Sequence, residues 1–386
     1  MRIAYVYDAV HPWVTGGVEK RLWELSTRLA DEHDVHWFGL KYWDGPAVRE
    51  ESGVTLHGVD DPPADLYTDG RRSIPEALSF AGKVARPLAN EEFDVIDCQE
   101  FPYFPAFSVK PASMLDDSTM FLTWHEVWDE YWYEYLGRLG VAGRLVERVT
   151  SRLPDAHIAV SERTSRDLDS LGVHDAALVP NGISLETVER IEPADEPLDV
   201  LFVGRFIKEK NPRLVVEALA DLDRPVDATL VGEGPEYEAV RRRADELGVE
   251  VSMPGFLDSY EDVLAAMKAA DSFVLPSRRE GFGITALEAL ACGTPVVTLD
   301  HPQNAARDLV TDGVTGAVCD ATPASLAAGI ERARGLSAAD CRAAARPYDW
   351  DRIAERVERV YRHREGLSAT YWEDEPELLS YNTDAI

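Results

Sequence analysis

Lysine is scarce in this chain, and acidic residues greatly outnumber basic ones. Only seven of the 39 basic residues are lysine, and the 70 aspartate and glutamate residues bring the formal net charge to −31. Because a nucleic-acid-binding protein needs a basic surface for the phosphates, this charge excludes a nucleic-acid partner. Since 45% of the residues are hydrophobic, the charge indicates a hydrated acidic surface around a core and not a disordered chain.

Cysteines and long apolar runs are also scarce. The four cysteines are too far apart to form a CxxC pair or a cysteine/histidine metal site, and we expect buried free thiols at Cys98, Cys292, Cys319 and Cys341. No apolar run reaches the length of a membrane span, and the N-terminus is typical of a buried strand and not of a signal peptide. We therefore expect a cytoplasmic protein. Its Arg-rich, Lys-poor acidic composition resembles that of halophilic archaeal proteins that work in concentrated salt.

The length of 386 residues exceeds that of one ordinary hydrophobic core, so we expect two domains. Short apolar runs alternate with longer amphipathic stretches in both halves, a pattern typical of βαβ units and parallel sheets. The predicted strands are residues 3–7, 35–39, 54–58, 94–98, 119–123, 157–160 and 177–179 in the first half, and 200–203, 228–231, 249–253, 272–275, 296–299 and 316–319 in the second.

An acidic, proline-bearing segment, residues 191–197, interrupts this pattern and predicts a linker. Near the end of the chain, Ile353, Val357 and Val360 recur at helical spacing and predict an amphipathic helix. The sequence thus predicts an α/β protein with two Rossmann-like domains, at residues 1–192 and 198–366. The second domain includes the terminal helix at residues 349–366, and an acidic tail follows at residues 367–386.

The strongest motif is the segment 280–288, which reads Glu-Gly-Phe-Gly-Ile-Thr-Ala-Leu-Glu and joins a predicted strand to a predicted helix that ends at Gly293. Its glycines let the backbone approach a ligand, and the free N–H groups of the first helical turn favour an anion such as a diphosphate. Glu288 lies about one turn into the helix, where its carboxylate can accept hydrogen bonds from a ribose. Glu280, in the loop, can do the same for a sugar. The segment also fits an ordinary strand–turn–helix connection with capping carboxylates.

Two cations, Arg205 and Lys210, follow the first predicted strand of the second half. Ligands of open parallel sheets bind beyond the carboxyl ends of the strands, near the point where strand order reverses. We therefore expect both cations to lie near the 280–288 segment, where Arg suits phosphate oxygens bidentately and Lys supplies a compact charge. A nicotinamide-dependent oxidoreductase is less favoured, because no Gly-x-Gly-x-x-Gly motif follows a strand with an acidic residue at the expected distance.

These residues resemble the donor site of family 4 glycosyltransferases of the GT-B fold, in which two glutamates with seven residues between them are preceded by Gly-Arg and Glu-Lys. The resemblance spans nearly the whole chain. It implies two Rossmann-like domains that face each other across a cleft, the first on the acceptor side and the second binding a nucleotide-diphosphate sugar. Residues 11–20, with Gly16 and Gly17, are similar to the family's glycine-rich first loop. Residues 123–126 resemble its histidine element, which implies that His125 faces the donor sugar.

We expect His125 and Glu280 to be the catalytic residues. The turn at residues 254–257 is similar to one that contacts the nucleotide base in the family. The expected donor-binding residues are Gly16, Gly17, Arg205, Lys210, Phe256, Leu257, Gly281, Phe282, Gly283, Ile284 and Glu288. Two positions depart from the family pattern: Ser184, where Asp often follows Asn-Gly-Ile, and Asn211, where Gly commonly follows Lys.

By resemblance the reaction retains the anomeric configuration of the sugar. No Asp or Glu can be assigned as a nucleophile on the opposite sugar face, so front-face attack is favoured, in which the departing diphosphate takes the acceptor's proton. Because cations and helix N–H groups already meet the phosphate charge, we expect no metal ion and no cofactor. The expected donor is a UDP- or GDP-sugar, and the expected acceptor is a glycan, a lipid-linked sugar or a lipid. A GT-B nucleotide-sugar epimerase and a non-catalytic sugar-nucleotide-binding homologue stay open as alternatives.

Two stretches of the first half, residues 71–86 and 138–152, are basic within this acidic chain. The second combines arginines with apolar residues, namely Arg138, Arg144, Arg148 and Arg152 with Leu139, Val141, Leu145 and Val149. A basic amphipathic helix predicts peripheral contact with anionic lipid, here at the inner face of the membrane. The aromatic residues near His125 fit either packing or stacking on a sugar or lipid: Trp124, Trp128, Tyr131, Trp132 and Tyr135.

Overall fold

The computed structural model of the protein describes residues 1–63, 67–68 and 71–363. The predicted acidic tail and the last residues of the predicted terminal helix lie outside this range. The chain forms two compact α/β units. The first contains Met1–Pro180 and the terminal helix from Asp351 onward, and the second contains Asn181–Trp350.

The main sheet of the first unit has the strand order β10-β9-β8-β7-β1-β2-β4-β3. All neighbours are parallel except β3, which runs antiparallel to β4, and β5 and β6 form a separate hairpin. The strands of the first unit are β1 (Arg2–Val6), β2 (Asp34–Gly39), β3 (Val48–Glu51), β4 (Val54–Gly58), β5 (Tyr67–Thr68), β6 (Arg71–Arg72), β7 (Val95–Gln99), β8 (Thr119–Trp124), β9 (Ala156–Ala159) and β10 (Ala177–Leu178). Its helices are α1 (Gly17–Leu29), α2 (Ile74–Ala89), α3 (Phe104–Asp116), α4 (Tyr131–Leu136), α5 (Gly140–Thr150), α6 (Glu162–Asp169) and the terminal helix (Trp350–Arg362).

The strand order of this sheet reverses at β1, which lies between β7 and β2. Ile3 of β1 is in register with Val35 on one side and Val95 on the other. The strands are buried on both faces, with Phe38 and Leu122 in the same apolar cluster, as expected for a parallel sheet covered by helices. The carboxyl ends of β1 and β7 therefore form the switch point of the first unit.

The sheet of the second unit is entirely parallel, with the order β13-β12-β11-β14-β15-β16. The order reverses between β11 and β14, which is the switch point of this unit. The strands are β11 (Leu198–Val203), β12 (Ala228–Val231), β13 (Ser252–Gly255), β14 (Ala270–Leu275), β15 (Val296–Leu299) and β16 (Gly316–Cys319). The helices are α7 (Leu185–Arg190), α8 (Pro212–Ala220), α9 (Tyr237–Leu247), α10 (Tyr260–Ala269), α11 (Ile284–Cys292), α12 (Pro323–Ala333) and α13 (Ala338–Ala345).

The two sheets confirm the fold class predicted from the sequence, and the strands differ from the predictions in places. The strand predicted at residues 249–253 begins at Ser252, because Val249 and Val251 pack against the core before the strand pairing starts. The edge strand β3 was not predicted, because its sequence Val-Arg-Glu-Glu is mostly charged and half of its residues are exposed.

The division between the units differs from the predicted domain bounds at two places. Residues after Asn181 belong with the second unit, where Ile183 exchanges backbone hydrogen bonds with Tyr348 (2.8 Å) and Trp350 (3.1 Å). The terminal helix belongs with the first unit, because Tyr361 donates a hydrogen bond to Asp97 at 2.6 Å. The three apolar residues predicted to form its packing face are buried.

Across the described ranges, no helix combines the length and the apolar character that a bilayer span requires.

Candidate functional site

The carboxyl ends of β11 and β14 are neighbours in the second sheet, at its switch point. β11 leads directly into Gly204 and Arg205, and β14 leads through Ser277 to the 280–288 segment. The Arg205 side chain is exposed and makes no ion pair or hydrogen bond with any residue that the structure describes. The topology therefore brings the predicted cation and the predicted helix start to one edge of the sheet, where α/β proteins bind ligands.

Glu280 is held in place through its backbone and its side chain. Its N–H donates to the Gln303 carbonyl at 2.9 Å, and its own carbonyl accepts from the Ala305 N–H at 3.1 Å. The carboxylate is 8% exposed, accepts a hydrogen bond from the Ser277 hydroxyl at 2.8 Å and forms an ion pair with the Lys210 ammonium. Because an ammonium has three N–H donors, Lys210 keeps donors for a second anion such as a phosphate.

The helix that follows, α11, starts at a position only glycine can occupy without strain. Gly283 has φ +93°, and a β-carbon there would lie 2.5 Å from that of Ala306. The helix begins at Ile284 and ends before Gly293, which caps it at φ +89°, as predicted. The N–H groups of its first turn have no intrahelical partner and carry the positive end of the helix dipole, so the site favours an anion.

Glu288 lies on the buried side of α11, with 5% of its surface exposed. Its Oε1 accepts a hydrogen bond from the Tyr260 hydroxyl at 2.7 Å. Tyr260 is the first residue of α10, whose start is capped by Ser259. The phenol thus orients a carboxylate that can accept hydrogen bonds from hydroxyl groups on its other lone pairs.

The turn after β13 lies on the same edge as Arg205. Gly232, which follows β12, donates its N–H to the Gly255 carbonyl at 2.8 Å. Gly232 has φ +129° and lies so close to Gly204 that a β-carbon on Gly232 would lie 2.1 Å from the Gly204 carbonyl oxygen. Phe256 is 66% exposed and Leu257 is half-buried. The ends of three successive strands are therefore packed together, with an exposed aromatic ring at one side.

In the first unit, Gly16 and Gly17 form the start of α1. Gly16 is the N-cap residue, in extended conformation, and its carbonyl accepts the Lys20 N–H at 3.1 Å. The helix follows the carboxyl end of β1, so these glycines lie at the switch edge of the first sheet.

His125 directly follows β8 and is half-buried. Its Nε2 lies 2.9 Å from Oε1 of Gln99, the last residue of β7. Burial and, to a smaller extent, the charge of the buried Arg21 lower the pKa of His125 to about 3. The imidazole is therefore neutral at physiological pH and can exchange hydrogen bonds but supplies no positive charge.

The aromatic residues near His125 pack with one another. Trp124 and Trp132 are buried in the first core, and the ring of Trp128 lies 4.7 Å from that of Trp132 and 4.8 Å from that of Tyr135. This arrangement favours the packing interpretation of the aromatic cluster over a ligand platform.

Sequence reasoning missed three residues that hold the predicted ones: Ser277, Tyr260 and Gln99. Ser277 and Gln99 both stand at the carboxyl ends of strands, so the rule that selected Arg205 could have selected them. Tyr260 lies 28 residues from Glu288 in the sequence, and no local pattern joins the two. The four cysteines are buried free thiols, as predicted. The described part of the chain contains no group of three or more His, Cys, Asp or Glu residues arranged to hold a metal ion.

Two family models match consecutive parts of the chain. Glycosyltransferase Family 4 matches residues 15–187, and Glycosyl transferases group 1 matches residues 185–346. The sucrose-phosphate synthase structure from Thermosynechococcus elongatus superposes with a TM-score of 0.78 at 22% identity, over 94% of this chain and 98% of that one. The two parallel-sheet units therefore form a GT-B fold.

Two relatives from Mycobacterium tuberculosis are similar in sequence. The GDP-mannose-dependent alpha-(1-6)-phosphatidylinositol dimannoside mannosyltransferase is 31% identical over 68% of this chain and 69% of its own length. The glycogen synthase is 30% identical over 94% of both chains. The protein is an enzyme of the glycosyltransferase class. It belongs to glycosyltransferase family 4.

Proposed function

We propose that the enzyme transfers a hexosyl group from a UDP- or GDP-sugar to a glycan, lipid-linked sugar or lipid acceptor, with retention of anomeric configuration. The observation that carries the proposal is the Lys210–Glu280 ion pair at the start of α11, with Arg205 on the neighbouring strand end. Two cations and a helix N-terminus at a switch point suit a diphosphate leaving group.

The proposal assigns each donor contact to a residue of the predicted site. Lys210 and Arg205 hold the diphosphate together with the first-turn N–H groups of α11, beside Gly281, Phe282, Gly283 and Ile284. Glu288, oriented by Tyr260, accepts hydrogen bonds from the ribose. The exposed Phe256 and its neighbour Leu257 contact the base, and Gly16 and Gly17 approach the phosphates.

Catalysis in this proposal is mainly positioning and charge stabilisation. The bond from the anomeric carbon to the diphosphate oxygen breaks as the acceptor hydroxyl attacks on the same face, and the departing diphosphate takes the hydroxyl proton. Glu280 and the neutral His125 hold sugar hydroxyls while the positive charge develops. Since lysine, arginine and helix N–H groups meet the phosphate charge, neither a metal ion nor a cofactor is required.

One relative supports a lipid-linked acceptor, since it is by name a GDP-mannose-dependent phosphatidylinositol dimannoside mannosyltransferase, and the other, a glycogen synthase, supports a glycan acceptor. Helix α5 offers a surface for contact with lipid, because it packs on the first unit through small and polar residues and most of its large apolar residues face outward. A β-carbon at Gly143 would lie 2.3 Å from the Trp132 ring, so the helix packs tightly there. Glu147, buried on the same face, accepts the backbone N–H groups of Trp128 (2.8 Å) and Asp129 (3.0 Å).

The outer face of α5 is consequently the apolar one. Val141, Leu145 and Val149 are 60%, 62% and 39% exposed and recur every four residues. Arg148 and Arg152 are exposed beside them. An apolar stripe flanked by arginines suits peripheral binding to anionic lipid.

The test is to incubate the purified protein in molar KCl with a panel of UDP-, GDP- and ADP-sugars, with and without polyprenyl-phosphate sugars. We expect nucleotide release only when an acceptor is present. Sugar interconversion without an acceptor would indicate an epimerase, and donor binding without turnover would indicate a non-catalytic homologue. If no donor binds, the proposed donor site is wrong.

A further inference from the structure

A chain of buried hydrogen bonds connects the terminal helix to His125 within the first unit. The Tyr361 hydroxyl donates to Asp97 Oδ2 at 2.6 Å. The other oxygen, Oδ1, accepts from the Gln99 side-chain amide at 3.2 Å and from the Thr123 hydroxyl at 2.8 Å. Gln99 Oε1 then lies 2.9 Å from His125 Nε2. Asp97, Gln99 and Tyr361 are each at most 3% exposed, so solvent does not compete for these bonds.

The Asp97 carboxylate fixes which group donates and which accepts in each of these hydrogen bonds. Burial raises the pKa of Asp97 to about 6, so the carboxylate is ionised at neutral pH and can only accept hydrogen bonds. The amide N–H₂ of Gln99 therefore faces Asp97 and the amide oxygen faces His125. Because that oxygen is also only an acceptor, the neutral imidazole donates from Nε2. Nδ1 is then unprotonated, and it accepts no hydrogen bond from any residue in the described part of the chain.

We propose that Gln99 is a positioning residue that holds His125 in the Nε2-protonated tautomer, so that Nδ1 accepts a hydrogen bond from a hydroxyl of the donor sugar. Asp97 sets the orientation of the Gln99 amide, and Tyr361 of the terminal helix holds Asp97. The contact with the sugar rests on the proposed function. The tautomer does not, because it follows from the hydrogen bonds of the protein itself.

The tautomer is read by NMR of the full-length protein labelled with ¹⁵N-histidine, with the His125 signals assigned through His125→Asn. We expect a protected Nε2–H resonance from His125 in the wild type and its loss in Gln99→Leu, which removes the acceptor. His157 is an internal reference, since its Nδ1 accepts from the Trp124 indole at 3.0 Å and does not involve Gln99. A wild-type His125 protonated at Nδ1, or an unchanged resonance in Gln99→Leu, would overturn the proposal.

Two further variants separate orientation from general packing. Tyr361→Phe keeps the ring that packs 5.0 Å from Phe121 and removes only the hydroxyl, so we expect a weakened His125 N–H resonance. Thr123→Val removes a different hydrogen bond to Asp97 and should leave that resonance in place. An unchanged resonance in Tyr361→Phe, or an equal change in both variants, would show that the Tyr361 bond has no particular role in orienting Gln99, and the role given to the terminal helix would be wrong.

With the donor identified, kinetics test the role in turnover. We expect Gln99→Leu to lower kcat by roughly tenfold to a hundredfold while KM for the donor changes by less than about threefold, since a misplaced group costs chiefly the chemical step. An unchanged kcat with an altered tautomer would remove the sugar contact from the proposal. A protein inactive with every donor would contradict the proposed function while the NMR result still decided the tautomer.

Discussion

Lys210 and Glu280 stand 70 residues apart in the sequence and form an ion pair at the start of α11. The carboxylate is nearly buried and is also bound by Ser277, whereas the ammonium is more accessible, at 21% exposed. The pair therefore offsets the charge of a carboxylate that would otherwise repel a diphosphate, and it leaves the ammonium able to bind one.

Replacing Lys210 by alanine should weaken donor binding. A hydrogen bond to a charged group contributes about 1.5–3 kcal/mol, so we expect the donor Kd to rise roughly tenfold to a hundredfold. Titration calorimetry with UDP- and GDP-sugars in molar KCl measures it. Lys208→Ala, at an exposed lysine two positions earlier, is the control. Equal losses in the two variants would indicate a general charge effect and not a specific phosphate contact.

Tyr260→Phe tests the support of Glu288. The variant keeps the ring and removes the hydroxyl that donates to the Glu288 carboxylate at 2.7 Å, so the carboxylate is less well oriented and we expect the donor Kd to rise about fivefold, or about 1 kcal/mol. Tyr237→Phe is the matched control, because its hydroxyl bonds to the Met253 carbonyl in the same unit at 2.5 Å. An unchanged donor Kd in Tyr260→Phe would indicate that Glu288 does not bind the ribose in the way proposed.

Gly283→Ala should combine backbone strain with a steric clash against Ala306. We expect a loss of about 1–3 kcal/mol in unfolding free energy together with weaker donor binding. Gly335→Ala is the control, since Gly335 has a similar φ of +81° but open space around the position of a β-carbon. Its loss should be near 1 kcal/mol, from strain alone. Urea unfolding of both variants in KCl measures the difference, and equal losses would show that the contact with Ala306 is relieved.

The depressed pKa of His125 gives its contribution to stability a defined pH dependence. The folded pKa of about 3 lies below the unfolded value of about 6.5, so the unfolded chain binds more protons between these values. Stability rises with pH wherever the unfolded state binds more protons; the contribution is therefore complete above about pH 6.5 and falls as the pH drops toward 3. The unfolding free energy of wild type minus that of His125→Asn should be larger near pH 8 than near pH 5. The same difference at both pH values would contradict this pKa.

The outer face of α5 should bind anionic vesicles. We expect the wild type to sediment with phosphatidylglycerol vesicles and not with phosphatidylcholine, and the double variant Val141→Ser, Leu145→Ser to lose most of this binding. Val314→Ser, at a residue 46% exposed in the second unit, is the control. Because salt screens the arginines, binding should weaken from dilute to molar KCl. If vesicle binding were the same in the double variant and the same for both lipids, the membrane contact would not be at the outer face of α5.

Sequence patterns predicted the parts of this protein that depend on periodicity and on strand ends. The alternation of short apolar and longer amphipathic segments gave both sheets, and Gly283 and Gly293 bounded α11 correctly because glycine is favoured at positive φ. Contacts between distant segments were not predictable in this way. Tyr260 reaches Glu288 only because α10 packs beside α11, and Tyr361 reaches Asp97 only because the terminal helix joins the first unit.

The terminal helix also affects how the chain must fold during synthesis. Residues 1–180 leave the ribosome first, but the core around Phe121 and Asp97 includes Tyr361, which is made after the whole second unit. The first unit therefore stays incompletely packed until the terminal helix has been synthesised, whereas the second unit can fold as soon as its own residues emerge. A chain truncated before residue 350 would lack the terminal helix that completes the first unit, so such a C-terminal deletion should expose the first core to proteolysis.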